Sequence, residues 1–259
     1  MSRRIAFEGI DNFRDFGDYA AGARRLKAGL LYRSGHPARA TDADLARLAD
    51  LGLAVIVDLR RAQERERERE PARRWPGFAA QVIDNDLPQE GLQEWEQFVA
   101  SSDPTPGSVR DYMLGYYGKA PFEPRYRDLY GRYFRALAET EGAVLVHCAG
   151  GKDRTGILCA LTHHVAGVGE ADVVADYLLT NDMARFAARL PMVSQLTLER
   201  FGKTVSDETL LAVMGVEAEY LQVAFAAMRA RHGSVDGYLD EALGLDEAQR
   251  EQIHARVLA

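Results

Sequence analysis

A short apolar run that ends at a cysteine and two glycines is the feature that most constrains this fold. Residues 143–146 are apolar and carry no charge, which predicts a buried strand. A helix is predicted soon afterwards by apolar residues at helical spacing, namely Ile157, Leu158, Leu161 and Val165. The residues between them read His-Cys-Ala-Gly-Gly-Lys-Asp-Arg-Thr-Gly. The sequence therefore predicts a strand, a tight loop and a helix in immediate succession.

This loop has the composition of an anion-binding site. Gly150 and Gly151 allow the backbone to reach positive φ, so that successive N–H groups turn inward and form a nest. The following helix adds its positive N-terminal end. Arg154 supplies a planar fork that suits two phosphate oxygens. The loop residues predicted to contact substrate are Ala149, Gly150, Gly151, Lys152 and Thr155.

Cys148 lies at the start of the loop, where the same positive groups favour a thiolate. A thiolate that faces a bound phosphate is a nucleophile in position. Thr155 is predicted to cap the helix and to donate its hydroxyl to the sulfur. The alternative is a buried structural cysteine followed by an unrelated Arg154. The spacing Cys-x5-Arg alone does not separate the two interpretations, whereas the whole string favours the nucleophile.

The string His147–Gly156 resembles the H-C-x-x-G-K-D-R-[TS]-G signature of the atypical bacterial tyrosine/lipid phosphatases. The resemblance extends over nearly the whole chain, at residues 12–17, 31–35, 58–60 and 233–239. It implies a metal-independent hydrolase without a cofactor, which forms a phosphocysteine intermediate. It also implies a phosphate ion at the loop and phosphotyrosine, phosphoserine/threonine or phosphoinositide substrates. The sequence does not rank these substrates.

A phosphocysteine route needs a general acid and base, and three carboxylate candidates are available. The resemblance implies this role for Asp153, inside the loop. Asp58 follows a predicted strand and is the second choice, and Asp84 or Asp86 is the third. The segment 75–77 reads Trp-Pro-Gly and lacks the carboxylate that a Trp-Pro-Asp loop would provide.

Several cations have two interpretations each. Lys152 is either a solvated loop residue or a second cation for substrates with more than one phosphate. Arg14 and Arg33 either form structural ion pairs or contact substrate. Residues 61–70 alternate Arg and Glu almost throughout, which favours an exposed helix over a partner-binding face.

The pattern of helices and strands predicts an α/β fold with a mostly parallel central sheet flanked by helices. We expect a single phosphatase domain over 1–259, with a helical lid insertion at about 88–140 and a helical C-terminal layer at about 170–259. Within the insertion, Gln89–Gly118 is predicted to be a mobile cover.

Composition limits the partners. The net charge of −7 argues against general nucleic-acid binding, which needs a basic face. Two cysteines cannot form a disulfide scaffold, and we find neither a secretory signal nor a run of transmembrane length. We therefore expect a cytoplasmic protein without an integral membrane segment, although the resemblance also allows unconventional secretion. No metal-ligand spacing occurs; His163 and His164 are adjacent and face apart.

Two rival functions remain on sequence grounds. The same loop could capture phosphorylated ligands without turnover, or it could perform sulfur transfer or arsenate reduction. Intact Cys148 and Arg154 argue against pure binding. The Lys-Asp-Arg-Thr string and the absence of a resolving-cysteine pattern argue against the other chemistries.

Overall fold

The computed structural model describes residues 3–68, 79–89 and 95–259, and its centre is a five-stranded sheet. Its spatial order is β1-β4-β7-β5-β6. The strands are β1 (Arg14–Asp15), β4 (Leu31–Ser34), β5 (Leu53–Asp58), β6 (Gln81–Ile83) and β7 (Ala143–His147). Strands β4, β7, β5 and β6 are parallel, and β1 joins the edge antiparallel. A small separate hairpin consists of β2 (Ala20–Ala21) and β3 (Arg24–Arg25).

Twelve helices accompany the sheet in the described residues. They are α1 (Asp42–Asp50), α2 (Ala62–Arg67), α3 (Trp95–Ser101), α4 (Pro106–Lys119), α5 (Pro124–Glu139), α6 (Asp153–Ala166), α7 (Glu170–Leu178), α8 (Met183–Phe201), α9 (Asp207–Met214), α10 (Ala218–His232), α11 (Val235–Leu243) and α12 (Glu247–Val257). No single one of them is long and apolar enough to cross a membrane; α9 and α10 reach that length and composition only as a pair bent by 43°.

The strand pleat divides the apolar residues between two cores. Val144 and Val146 point into the larger core, which helices α4–α6 and α10–α12 complete. Leu145 points to the opposite face and packs against Leu45 and Leu48 of α1. Because both faces are covered, β7 is buried along its whole length and reads as a continuous apolar run.

The structure confirms the predicted α/β fold with a mostly parallel sheet. Thr41 caps α1 and forms a capping box with Asp44. One detail was wrong: Lys152, not Thr155, is the N-cap of α6, and Thr155 lies inside the first turn. The Trp-Pro-Gly segment at 75–77 lies outside the described residues.

The predicted lid boundaries need correction. Helix α5 belongs to the core, where Tyr130, Tyr133 and Leu137 are fully buried, so the segment 88–140 is not a lid throughout. Helices α3 and α4 do line one wall of the candidate site, and α4 also packs on α9 and α10. A second wall comes from α8 and α9, which the sequence did not single out.

Candidate active site

The carboxyl ends of three parallel strands meet at one point of the sheet. Ser34 of β4 and Asp58 of β5 are both register partners of His147, the last residue of β7. Cys148 follows directly, buried at the floor of a cavity of about 360 Å³. This is the edge at which open α/β sheets bind ligands. The loop and helix residues that line the cavity are Cys148, Ala149, Gly150, Lys152, Asp153 and Arg154.

The carbonyl groups of Gly150 and Gly151 accept hydrogen bonds on the side of the loop that faces the protein interior. The loop N–H groups can therefore point to the opposite side, toward the cavity. Asn12 Nδ2 donates to the carbonyl of Gly151 at 2.9 Å and, at 3.3 Å, to that of Gly150. Arg33 Nη2 also donates to Gly151 O, at 3.1 Å. In the described part of the chain, the N–H groups of residues 149–152 donate to no other backbone or side-chain group. They form a set of donors available for an anion.

Asp176 of α7 ties these supports together beneath the loop. Its carboxylate accepts from Arg33 Nη1 at 2.7 Å and from Arg14 Nε at 3.4 Å. Arg14 Nη1 in turn donates to Asn12 Oδ1 at 2.7 Å. Burial alone would raise the pKa of Asp176, but Arg14 and Arg33 lower it to about 2. Arg14 and Arg33 therefore support the loop from within the protein, and neither lines the cavity.

Gly151 is the loop residue that tolerates no side chain. Its φ is +63°, and a Cβ there would lie 2.3 Å from the carbonyl carbon of Ser34. The neighbouring Gly150 has no positive φ and no close contact at that position, so only Gly151 uses the conformational freedom that both glycines offer.

Arg154 is held end-on by Glu64 of α2. Its Nη1 and Nη2 donate to the two Glu64 oxygens at 2.6 and 2.9 Å, and Nη1 also donates to Leu59 O at 3.3 Å. Burial alone would raise the pKa of Glu64, but Arg154 and Arg61 hold it well below its usual range. The Nε edge of the guanidinium stays free of protein acceptors in the described residues, so it can receive an anion side-on.

Asp153 lies at the cavity wall, and a tyrosine pair orients its carboxylate. Tyr117 Oη donates to Asp153 Oδ1 at 2.9 Å and lies 2.6 Å from Tyr177 Oη. Burial raises the pKa of both tyrosines well above the usual value, so both hydroxyls stay protonated at neutral pH. Lys152 Nζ approaches Asp153 Oδ2 at 3.5 Å and donates to Val213 O at 2.6 Å. Lys152 is thus an anchored residue rather than a solvated one.

The other three carboxylates considered, Asp58, Asp84 and Asp86, do not line the cavity. Asp58 is fully buried, and its oxygens accept from Arg60 Nε and Nη2 at 3.0 and 2.8 Å. Burial would raise the pKa of Asp58, but His147 and Arg60 hold it well below its usual range. Asp84 and Asp86 are near Arg65. None of the three lines the cavity, whereas Asp153 does.

Thr155 and Cys159 complete the comparison with the predicted residues. The Thr155 hydroxyl is buried beside the loop and has no hydrogen-bond partner among the described residues. Like Gly151, Thr155 does not line the cavity. Cys159 is a fully buried residue of α6, and burial raises its pKa to about 12.

The cavity mouth is strongly cationic although the protein is acidic overall. Asp11 accepts from Arg185 at 2.6 Å and lies 3.2 Å from Arg189, both on α8. Glu96 of α3 is shared by three arginines, one of which is Arg200 at the other end of α8. Among the residues that the structure describes, seven cationic side chains line the cavity against four acidic ones: Arg61, Arg67, Lys152, Arg154, Arg185, Arg189 and Arg200 against Asp11, Glu64, Glu96 and Asp153.

The opposite wall is aromatic and apolar. Trp95 and Tyr112 meet edge to face with ring centroids 5.4 Å apart. Tyr116 and Met113 continue this surface along α4. Such a wall suits the flat ring of a phenyl phosphate or an apolar substituent.

Sequence reasoning missed the residues that come from distant segments. The predicted exposed Arg/Glu helix was wrong for Glu64, which is mostly buried and reaches Arg154. Its place soon after β5, at the carboxyl edge of the sheet, was a signal that could have found it. Tyr117 and Asp176 gave no comparable local signal, whereas Asn12 lies in the segment 12–17 that the family resemblance includes. In the described residues, no group of three His, Cys, Asp or Glu side chains could hold a metal ion.

Comparison with known proteins agrees with this geometry. A model of the tyrosine phosphatase family matches residues 5–259. The chain belongs to that family. The chain is 38% identical to a protein of Cupriavidus necator, over 95% of this chain and 86% of that protein. The name of that relative assigns it provisionally to the tyrosine-protein phosphatases.

Two other relatives of this phosphatase carry more definite names. It is 32% identical to the triple specificity protein phosphatase PtpB of Mycobacterium tuberculosis, over 93% of this chain and 94% of PtpB. It is 27% identical to a tyrosine-protein phosphatase of Nostoc commune, over 92% of this chain and 77% of that protein. The predicted family and the predicted enzyme class, a protein-tyrosine phosphatase, are therefore confirmed.

Proposed function

We propose that this phosphatase hydrolyses phosphomonoesters through a phosphocysteine formed at Cys148. The observation that carries the proposal is the convergence of three features on one point. Cys148 lies at the cavity floor, the amides of residues 149–152 have no acceptor among the described residues, and Arg154 keeps its Nε edge available there as well. Together they can hold a phosphoryl group against the sulfur.

In the first step the Cys148 thiolate attacks phosphorus. The S–P bond forms as the ester P–O bond breaks, and Asp153 gives its proton to the leaving oxygen. Arg154 and the loop amides hold the three equatorial oxygens, over which the charge of the transferring phosphoryl group is spread in the transition state. Asp153 is the carboxylate best placed for this, because it lines the cavity and Tyr117 orients it.

In the second step water attacks the phosphocysteine. Asp153, now a carboxylate, accepts a proton from the water, and the S–P bond breaks to return the thiolate and release inorganic phosphate. The hydroxyl of Thr155 has no other partner in the described part of the chain and can donate to the departing sulfur. Inorganic phosphate should accordingly bind the loop and compete with substrate.

The substrate class follows from the two walls of the cavity. The aromatic wall at Trp95 and Tyr112 favours phosphotyrosine, whose ring can lie against it. The excess of cations at the mouth, including Arg189 and Arg200, favours substrates that carry further phosphates, such as phosphoinositides. We infer that the enzyme accepts both, and the name of the mycobacterial relative, a triple specificity phosphatase, is consistent with a broad range.

The test is phosphate release from a phosphotyrosyl peptide and a panel of soluble short-chain phosphoinositides, with EDTA present. We expect release by the wild type and none by Cys148→Ser. Trapping of radiolabelled phosphate on Cys148 after rapid acid quench would support the intermediate. Tight phosphate binding without turnover of any substrate would instead indicate a binding module and overturn the proposal.

A further inference from the structure

The two carboxylate oxygens of Asp153 have different surroundings. Oδ1 accepts a hydrogen bond from Tyr117 Oη at 2.9 Å, whereas Oδ2 lies 3.5 Å from Lys152 Nζ. Lys152 lines the cavity, but neither Tyr117 nor the neighbouring Tyr177 does, and both tyrosines are buried. Oδ1 is therefore the oxygen on the side of the protein interior, and Oδ2 is the oxygen on the side of the cavity.

Tyr177, Tyr117 and Asp153 form a hydrogen-bond chain with a definite direction. The two Oη atoms lie 2.6 Å apart, and in the described part of the chain the Tyr177 hydroxyl has no other hydrogen-bond partner. Tyr177 is 1% exposed, so a hydroxyl proton that pointed away from Tyr117 would be buried without an acceptor. Tyr177 therefore donates to Tyr117, and Tyr117 donates to Asp153 Oδ1.

The last glycine of the loop string admits the ring of Tyr177. A Cβ on Gly156 would lie 2.7 Å from Tyr177 Cε2 and 2.8 Å from its Cδ2. Gly156 has no positive φ, so the close approach of the ring, and not the backbone conformation, excludes a side chain at this position. The beginning of α6 thus holds both the carboxylate of Asp153 and the space for the tyrosine at the far end of the chain.

We propose that Tyr117 and Tyr177 reserve Asp153 Oδ1 as a hydrogen-bond acceptor, so that Oδ2 carries the proton exchanged in catalysis. In the first step the Oδ2–H bond breaks as the proton passes to the leaving oxygen, and in the second Oδ2 takes a proton from the attacking water. A proton on Oδ1 would reverse the chain and leave the Tyr177 proton without an acceptor. Both tyrosines are thus positioning residues, and their role rests on the acid–base function proposed for Asp153.

Kinetics on two leaving groups test this role, with the full chain, an alkyl phosphate and an aryl phosphate that has an acidic phenol. Tyr117→Phe should lower kcat about tenfold on the alkyl phosphate and less than about twofold on the aryl phosphate, because only the alkyl leaving group depends on the proton. Tyr177→Phe should show the same preference with a loss of about threefold, since Tyr117 keeps its own hydroxyl. KM should stay unchanged, because neither tyrosine lines the cavity.

Two further variants separate the role in proton transfer from a role in folding. Tyr117→Phe leaves the Tyr177 hydroxyl buried without a partner, so the double variant Tyr117→Phe/Tyr177→Phe removes both hydroxyls together and should show the same kinetic pattern. Tyr133→Phe is the matched control. It removes the hydroxyl of another buried tyrosine, which lies 2.8 Å from Thr162 Oγ1 and does not line the cavity, and it should leave both rates unchanged.

The rate on the alkyl phosphate in mixtures of light and heavy water identifies the path of the proton. A single proton that moves from Oδ2 predicts a linear dependence of kcat on the deuterium fraction. A curved dependence that becomes linear in Tyr117→Phe would show that the proton passes through the tyrosines, and it would overturn the proposal.

The outcomes for the tyrosines and for Asp153 are distinguishable. Equal losses on the alkyl and aryl phosphates in Asp153→Asn would overturn the proposed acid. A loss confined to the alkyl phosphate in Asp153→Asn, without such a loss in Tyr117→Phe or in the double variant, would overturn only the role of the tyrosines.

Discussion

Glu64 grips Arg154 end-on with both carboxylate oxygens, at 2.6 and 2.9 Å. The two residues are 90 positions apart in the sequence, on α2 and α6. The grip fixes which edge of the guanidinium faces the cavity, and it keeps the arginine from rotating away when no substrate is bound. Glu64 is therefore a positioning residue for the phosphate-binding fork.

Glu64→Gln should lower kcat by roughly 10- to 100-fold, because a guanidinium that is misplaced by about 1 Å loses much of its effect on the transition state. KM should change less, since the loop amides still bind phosphate. The measurement is steady-state kinetics on a phosphotyrosyl peptide. Glu66→Gln, an exposed change on the same helix, serves as the control. Wild-type kcat in Glu64→Gln would contradict the positioning role.

Asp153→Asn should lower the rate by about 10² to 10⁴ for alkyl phosphates, which have poor leaving groups that need a proton. The loss should be much smaller for aryl phosphates with acidic phenols. The measurement is a series of substrates whose leaving groups differ in pKa, and the slope of log rate against leaving-group pKa gives the difference. Asp86→Asn, at the exposed third candidate, should leave the slope unchanged. An equal loss across the series would exclude Asp153 as the acid.

Lys152→Met should affect substrates with several phosphates about tenfold more than phosphotyrosine, because a second cation at the rim contributes mainly to a second phosphate. Its anchoring on Val213 O holds the ammonium close to the loop. The comparison is kcat/KM for a bisphosphorylated short-chain phosphoinositide and for a phosphotyrosyl peptide. Lys119→Met, at an exposed lysine, is the control. An equal loss of kcat/KM on both substrates would mean that Lys152 has a structural role and does not contact a second phosphate.

Asp176→Asn should destabilise the protein by about 3 kcal/mol at neutral pH, because it leaves two buried arginines without their shared carboxylate. The pKa of Asp176 is lowered from 3.8 to about 2, so its contribution is complete above pH 3.8 and is lost as the pH falls through about 2.

Urea titrations over this pH range measure the effect as a gap in unfolding free energy between wild type and variant. The gap should narrow as the pH falls from about 4 to about 2. Asp172→Asn, an exposed change on the same helix, should show no such gap. A gap that stays constant through the acid range would mean that the carboxylate charge of Asp176 is not what stabilises the fold.

The strand, loop and helix around Cys148 could be predicted because their signals are local. A run such as Val144–Val146 must be buried, Gly151 must turn, and the helix that follows must begin within a few residues. The same local string also pointed to the phosphatase family, which is why the enzyme class followed from sequence.

Only the tertiary structure decided which distant side chains serve that loop. Glu64 reaches Arg154 because β5 and β7 are neighbours, and Asp176 meets Arg14 across 162 positions because α7 packs under the sheet edge. Helix α8 lines the cavity because it packs there with its arginines, of which Arg185 pairs with Asp11 and Arg200 with Glu96. The sequence by itself determined the loop and its chemistry, since short-range backbone and periodicity effects dictate them. Long-range pairing follows from the packing of the whole chain. This packing decided which residues support the loop and which helices form the walls of the cavity.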